Sequence, residues 1–130
     1  LSTHDRDKQA LVPIAARLIE LGFDVTATSG TAQALANAGL KVQSVLKVHE
    51  GRPNIEDQIR SNQVQLVINT PIGRQAAHDD KYLRRAALDY AVPTVTTLAG
   101  ARAAVEAISA LQQQPRLSIH ALQDVHAMQR

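Results

Sequence analysis

The chain has 130 residues, of which 45% are hydrophobic and 20% charged, and it contains no cysteine. That length fits one domain with its own core, and the lack of cysteine excludes disulfides, thiolate metal sites and a cysteine nucleophile. With 14 Lys and Arg against 12 Asp and Glu there is no strong basic field, so we expect neither nucleic acid nor a membrane as partner.

Helical and strand-like segments alternate along the chain. Apolar spacing predicts helices over 7–21, 31–38, 55–61, 81–90 and 99–112, the fourth with Asp79 or Asp80 as its N-cap. Aliphatic runs predict strands over 23–28, 41–48, 64–69 and 93–97, with a late extra strand at 117–119. Trp is absent and aromatics are 2%, which suits helices packed on an aliphatic parallel sheet. We therefore predict an α/β fold with three layers, α/β/α.

The alternation also requires a strand before the first helix, and only residues 1–3 are available for it. Because the chain begins with Leu1 rather than Met, we expect residues 1–130 to be one domain of a longer chain, with its first strand truncated. The opening carries no apolar leader, and no apolar run approaches the roughly 20 residues that cross a bilayer, so we expect a soluble, cytoplasmic protein.

The first polar segment at a predicted strand end is Thr28-Ser29-Gly30-Thr31. Open α/β sheets bind ligands at the carboxyl ends of their strands. This turn leaves a strand and opens a helix, so its hydroxyls, its N–H groups and the positive helix end suit a phosphate. The same residues also fit an ordinary Ser/Thr N-cap beside a glycine turn, and both interpretations remain open.

Two later strands also end in polar residues. Asn69 and Thr70 can hydrogen-bond the oxygens of a ligand, and Arg74 can hold its charge, although Thr-Pro-x-Gly is also a normal exit turn. Thr96 follows the next strand and carries the same ambiguity. From 64 to 77 the sequence contains no Asp or Glu. A site without a general base favours anion binding over catalysis.

Two lysines add positive charge near these strand ends. Lys8 follows the first strand, although a lysine in a first helical turn is usually solvated. Lys47 opens the densest polar stretch, 47–53. His49 has no second histidine four residues later, as a zinc helix requires, and the other histidines show no ligand spacing, so we expect no metal site.

These segments resemble the methylglyoxal-synthase-like domain family, and most closely its allosteric domains at the C-terminal end of carbamoyl-phosphate synthetase large subunits. The resemblance spans nearly the whole chain. Its most specific motif is Lys47-Val48-His49-Glu50-Gly51-Arg52-Pro53; the others include Asp7-Lys8, Thr28-x-Gly30-Thr31, Asn69-Thr70 and Arg84-Arg85. The resemblance implies a Rossmann-like, five-stranded parallel sheet in the order 3-2-1-4-5.

The resemblance also implies a regulatory role without chemistry of its own. Such domains bind nucleotide monophosphates, with uridine monophosphate inhibiting and inosine monophosphate competing, and need no cofactor. The parent enzyme makes carbamoyl phosphate from bicarbonate, glutamine-derived ammonia and ATP with Mg or Mn, for pyrimidine and arginine synthesis. The implied partners are the neighbouring synthetase domains, the glutaminase subunit and the activator ornithine.

Family positions can be carried onto this sequence one residue at a time. The effector phosphate would contact Lys8, Thr28, Ser29, Gly30, Thr31 and Lys47. The ribose or base would lie beside Val48, Asn69, Thr70 and Arg74, and ornithine beside Thr96. The sequence departs from the family at Pro71, where a second Thr is common, and at Thr94, where a Tyr is usual.

Other functions fit the same fold class. A methylglyoxal synthase-type lyase acting on dihydroxyacetone phosphate needs aspartates in loops where this sequence has Arg52 and the carboxylate-free segment 69–73. The cyclohydrolase domain of purine synthesis shares the fold but not the 47–53 motif. A module that only packs against other domains would bind no nucleotide.

Overall fold

The computed structural model describes residues 1–70, 76–114 and 121–128. The strands are β1 (Ser2–Thr3), β2 (Thr26–Thr28), β3 (Gln43–Val45), β4 (Val67–Thr70) and β5 (Thr94–Val95). The helices are α1 (Lys8–Glu20), α2 (Ser29–Asn37), α3 (Ile55–Arg60), α4 (Ala76–Asp89), α5 (Leu98–Gln113) and α6 (Leu122–Met128). Short 3₁₀ turns cover Asp5–Asp7 and Val48–Glu50. None of these described helices is long and apolar enough to span a membrane.

The described strands pair in parallel, as predicted, and form two ladders. One ladder is β1-β4-β5 and the other is β2-β3. Leu1 connects them: its carbonyl accepts from the Thr28 N–H at 3.1 Å, and its amino group donates to the Thr26 carbonyl at 2.6 Å. These bonds place β2 beside the start of β1. A continuous five-stranded sheet in the order 3-2-1-4-5 stays a prediction.

Two clusters of buried aliphatic side chains lie on opposite faces of the strands. Val67 and Ile68 are neighbours in β4 but belong to different clusters, because successive strand side chains point to opposite faces. The Ile68 cluster packs against α1, α2 and α5, and the Val67 cluster packs against α3 and α4. Helices therefore cover both faces, which is the predicted layered arrangement.

Several predicted boundaries were wrong. α4 begins at Ala76, before the predicted start, because its alanine-rich opening extends the helix. Asp80 lies inside α4 rather than at its N-cap, and its carboxylate is buried against Asn69. The predicted strand 41–48 is confined to Gln43–Val45, since the chain turns into the 3₁₀ segment at Val48. The predicted strand 117–119 lies outside the described residues.

Candidate functional site

The turn from β2 into α2 lacks the side-chain cap that its sequence suggests. Thr28 occupies the N-cap position but makes no capping hydrogen bond, and its Oγ1 instead lies 3.4 Å from Oγ of Ser2. Thr31 is buried, and its Oγ1 accepts from the backbone N–H of Thr3 at 3.2 Å. Thr28 therefore occupies the N-cap position without forming the hydrogen bond of an ordinary Ser/Thr N-cap. The first N–H groups of α2 are not capped by this residue and suit an anion.

Lys8 brings a positive charge to the same turn. It is the first residue of α1, and a Cβ added to Gly30 would lie only 2.9 Å from its Nζ. The Lys8 side chain is 21% exposed, so its charge is partly shielded from bulk water. An ammonium group beside an uncapped helix N-terminus forms a site that favours a negatively charged ligand.

Replacing Gly30 by alanine should weaken phosphate binding without unfolding the chain. The new Cβ would push aside only the end of a flexible lysine, and alanine favours the helix, so the melting temperature should stay level or rise. Since the ammonium then no longer lies against the turn, we expect the dissociation constant for inorganic phosphate to rise about tenfold. Calorimetry and a thermal melt check both effects, and an unchanged dissociation constant would contradict this geometry.

Asp5 forms an ion pair with Lys8 beside the start of α1. The Asp5 carboxylate lies 2.5 Å from the Lys8 ammonium and is 86% exposed. The hydrogen bond and charge of Lys8 lower the pKa of Asp5, and the charges of His4 and Lys47 act in the same direction. Lys8 pairs directly with Asp5, whereas Lys47 acts on it through its charge, as the smallest of these causes.

Replacing Asp5 by asparagine should strengthen phosphate binding. The carboxylate competes with an incoming anion for Lys8, and removing an exposed ion pair of this kind changes affinity by about threefold. Asp24→Asn is the matched control, because Asp24 is exposed before β2, at the other end of that strand. Equal gains from both variants would show a general effect of net charge and contradict a local competition. Titration with inorganic phosphate measures both.

Hydrogen bonds within the polar run 47–54 hold this loop and the start of α3 in place. The Lys47 N–H donates to the Glu50 carboxylate at 2.8 Å. Asn54 is buried, and its Oδ1 accepts two N–H groups in the first turn of α3, at 3.0 and 3.3 Å. Val48 packs against the Val67 cluster, and its predicted place beside the ribose stays a prediction.

The carboxyl ends of β1 and β4 form a second polar corner. Ser2 pairs with Asn69 and Thr3 with Thr70. Asn69 is 1% exposed, and its Nδ2 donates to the Ser2 carbonyl at 3.2 Å and to Oδ1 of Asp80 at 2.9 Å. The prediction of an exit without carboxylates was therefore wrong at this corner, because Asp80 reaches it from α4.

Three members of this corner were not predicted from the sequence: Ser2, Thr3 and Asp80. Asp80 stands three and seven residues before Leu83 and Ala87, which are buried on the inner face of α4. That helical spacing was the available signal, because it places a carboxylate on the face that packs against the sheet. The two β1 residues gave no signal, since only the pairing of β1 with β4 brings them to the corner.

The remaining residues of the predicted site lie in different parts of the chain or outside the described residues. Ser29 is exposed in the first turn of α2. Thr96 is exposed between β5 and α5, while the neighbouring Thr97 caps α5 by accepting from the Gly100 N–H at 3.0 Å, so an ornithine contact at Thr96 stays a prediction. Arg74 and Pro71 lie outside the described residues. Within the described residues, no group of three or more His, Cys, Asp or Glu side chains could hold a metal.

Sequence comparison matches this chain to one family and to larger proteins. Residues 10–96 match the family described as the MGS-like domain. The chain is 49% identical over 126 residues to the carbamoyl phosphate synthase large chain of Acidobacterium capsulatum, covering 97% of this chain and 11% of that protein. The corresponding protein of Synechocystis sp. is 50% identical over 125 residues, covering 95% of this chain and 12% of the relative.

A third relative is shorter. The chain is 47% identical over 127 residues to the carbamoyl phosphate synthase large chain, C-terminal section, of Methanopyrus kandleri, which covers 97% of this chain and 23% of the relative. This chain therefore spans about a tenth to a quarter of the length of these curated relatives.

A solved structure gives the fold comparison. The crystal structure of methylglyoxal synthase from Elizabethkingia anophelis superimposes with a TM-score of 0.66, covering 80% of this chain and 73% of that chain. The sequence identity is 20%, so this likeness concerns the fold. It confirms the predicted α/β fold class.

Proposed function

The chain belongs to the MGS-like domain family, and from that premise we propose that it senses nucleotides as the regulatory domain of a carbamoyl-phosphate synthetase large chain. It binds a nucleoside monophosphate, with uridine monophosphate as inhibitor and inosine monophosphate as competitor, and performs no chemistry itself. The identity of about 50% to carbamoyl phosphate synthase large chains supports the regulatory assignment.

The observation that carries this proposal is the Lys8 ammonium beside an uncapped helix N-terminus. The turn 28–31 offers backbone N–H groups, the Lys8 ammonium lies against Gly30, and the charges of Lys8 and Lys47 both lower the pKa of Asp5. A monophosphate is a compact anion that fits backbone donors and two cations. The Asn69 corner, one strand away, supplies polar atoms for the ribose or base.

The proposal extends to the parent enzyme. Its partners are the neighbouring synthetase domains, the glutaminase subunit and ornithine, which would act near Thr96. ATP with Mg or Mn serves the synthetase domains rather than this one, and the enzyme works in the cytoplasm. We propose that nucleotide binding controls the synthesis of carbamoyl phosphate through a shift of this domain against its neighbour, since allostery needs two states with different effector affinities.

Calorimetric titration tests the proposal. We expect uridine monophosphate to bind saturably, inosine monophosphate to compete with it, and Lys47→Ala to abolish most of the affinity. Lys41→Ala is the matched control, because Lys41 is an exposed lysine before β3. If neither nucleotide binds, or if Lys47→Ala binds as the unchanged chain does, the proposal is wrong.

The lyase alternative has its own test. The Asp80 carboxylate is 7% exposed and accepts a hydrogen bond from Asn69, so it is not placed to take a proton from a substrate carbon. We expect no release of phosphate when the chain is incubated with dihydroxyacetone phosphate. Release that Asp80→Asn abolishes would favour the lyase instead.

A further inference from the structure

Three buried oxygens at the β1–β4 corner lack hydrogen-bond partners among the described residues. They are Oγ1 of Thr3, Oδ1 of Asn69 and Oγ1 of Thr70. Thr3 and Thr70 are register partners, and their side chains share one face of the strands, whereas Asn69 precedes Thr70 and faces the opposite side, toward α4. Buried polar atoms without partners are costly and uncommon in folded proteins, which indicates that a ligand or water completes this corner.

The surroundings of Asn69 determine which of its side-chain atoms remains without a partner. The Ser2 carbonyl and the Asp80 carboxylate both accept hydrogen bonds, so both must face the Asn69 Nδ2 group. Both N–H bonds of the amide are then occupied, and the remaining atom is the acceptor Oδ1. Oriented in this way, Asn69 cannot donate a hydrogen bond to a phosphate, but it can accept one from a hydroxyl or N–H group.

We propose that Asp80 is a positioning residue, which holds the Asn69 amide so that its carbonyl oxygen selects a hydroxyl or N–H donor on the nucleoside part of the ligand. This inference rests on the proposed binding of a nucleoside monophosphate. Asp80 acts through Asn69 and does not itself touch the ligand.

The two polar regions together determine the orientation in which the ligand binds. The α2 end carries Lys8 and the uncapped turn, whereas the β4 end carries a carboxylate and an oriented carbonyl oxygen. Strand β1 joins them, because the Thr3 N–H donates to Thr31 and Asn69 donates to the Ser2 carbonyl. A phosphate is attracted to the first region and repelled from the second, so the nucleoside donors lie toward Asn69.

The test compares two probes, uridine monophosphate and inorganic phosphate, by calorimetry. The ratio of their dissociation constants measures what the nucleoside part contributes to binding. In Asp80→Ala we expect affinity for uridine monophosphate to fall about tenfold and affinity for phosphate to stay within twofold. Asp80→Asn keeps an oxygen that can accept from Asn69, and should restore the ratio to within about twofold of the unchanged chain. Loss of both affinities in parallel would show a merely structural role and overturn the inference.

A double-mutant cycle tests whether Asp80 acts through Asn69. In an Asn69→Ala background, Asp80→Ala should change the ratio no further; a second tenfold loss would overturn the inference. If Asp80→Ala does not fold, Asp80→Ser serves instead, because its side chain is too short to reach the Asn69 amide and should lower the ratio equally. If the unchanged chain binds neither probe, the proposed function itself fails, and the inference fails with it.

Discussion

Lys8→Ala should remove most of the affinity for uridine monophosphate while leaving the fold intact. The Lys8 ammonium lies against Gly30 at the start of α2, where it can pair with the phosphate. Charge-assisted hydrogen bonds contribute about 1.5–3 kcal/mol, so the dissociation constant should rise roughly ten- to a hundredfold. Stability should change little, because the Asp5 carboxylate of the Lys8–Asp5 ion pair is exposed, and exposed ion pairs contribute little to stability.

Lys41→Ala again serves as the control for net charge. Calorimetry on both variants distinguishes the loss of a local contact with the ligand from the loss of one positive charge anywhere on the chain. We expect Lys41→Ala to bind within about twofold of the unchanged chain, and the difference between the variants to persist at raised salt, where exposed charges are screened. Equal losses in the two variants would contradict a specific role for Lys8. A thermal melt of Lys8→Ala excludes unfolding as the cause.

When residues 1–130 are prepared with a free amino group at Leu1, their free energy of unfolding should fall by on the order of 2 kcal/mol between pH 8 and pH 6. Burial lowers the pKa of the Leu1 amino group from 8.0 to about 6, because the charged form loses its hydration. Within this window the unfolded chain binds more protons than the folded chain, so stability rises with pH. Above pH 8 the group is neutral in both states, and below pH 6 it is charged in both, so its contribution is then constant.

Urea unfolding at pH 6, 7 and 8 measures this dependence, and an N-acetylated chain is the control. Acetylation removes the titrating amine but keeps an N–H group that can donate to the Thr26 carbonyl. The difference in stability between the two chains should therefore grow as the pH falls from 8 to 6. If the free energy of unfolding depends on pH in the same way in both chains, other groups, such as the histidines, cause that pH dependence.

Local signals in the sequence were sufficient to place the residues of the proposed phosphate region in the fold. Thr28, Gly30 and Thr31 follow a strand directly and open a helix, so their position at the carboxyl edge depends on one short segment. Lys8 could be placed because it follows β1 by only a few residues. The placement of such residues is independent of how distant strands pair.

The second polar region depends on tertiary contacts that no local pattern contains. Ser2 and Asn69 meet only through the register of β1 on β4, across 67 positions of sequence. An acidic residue before an apolar run also fits a helix cap, so the sequence alone predicts that role for Asp79 or Asp80. Only the burial of Asp80 against Asn69 distinguishes the two roles, and burial follows from how α4 packs on the sheet.

The motif at 47–53 shows why a sequence pattern alone does not assign a role to each of its residues. Its residues belong to a specific motif, yet most of the interactions described there stabilise the loop itself, as the Lys47 N–H and Glu50 do. A sequence motif identifies a segment, but it does not distinguish the residues that contact a ligand from the residues that hold the loop in place.

The central claim is that a nucleoside monophosphate binds with its phosphate at the start of α2. Two-dimensional amide NMR during titration with uridine monophosphate tests this most directly, because it locates the ligand without any substitution. We expect the largest shifts at Lys8 and at residues 29–31, with smaller ones at Asn69 and Thr70. Largest shifts at Phe23 and Gln65, which lie at the opposite ends of β2 and β4, or no shifts at all, would contradict the claim.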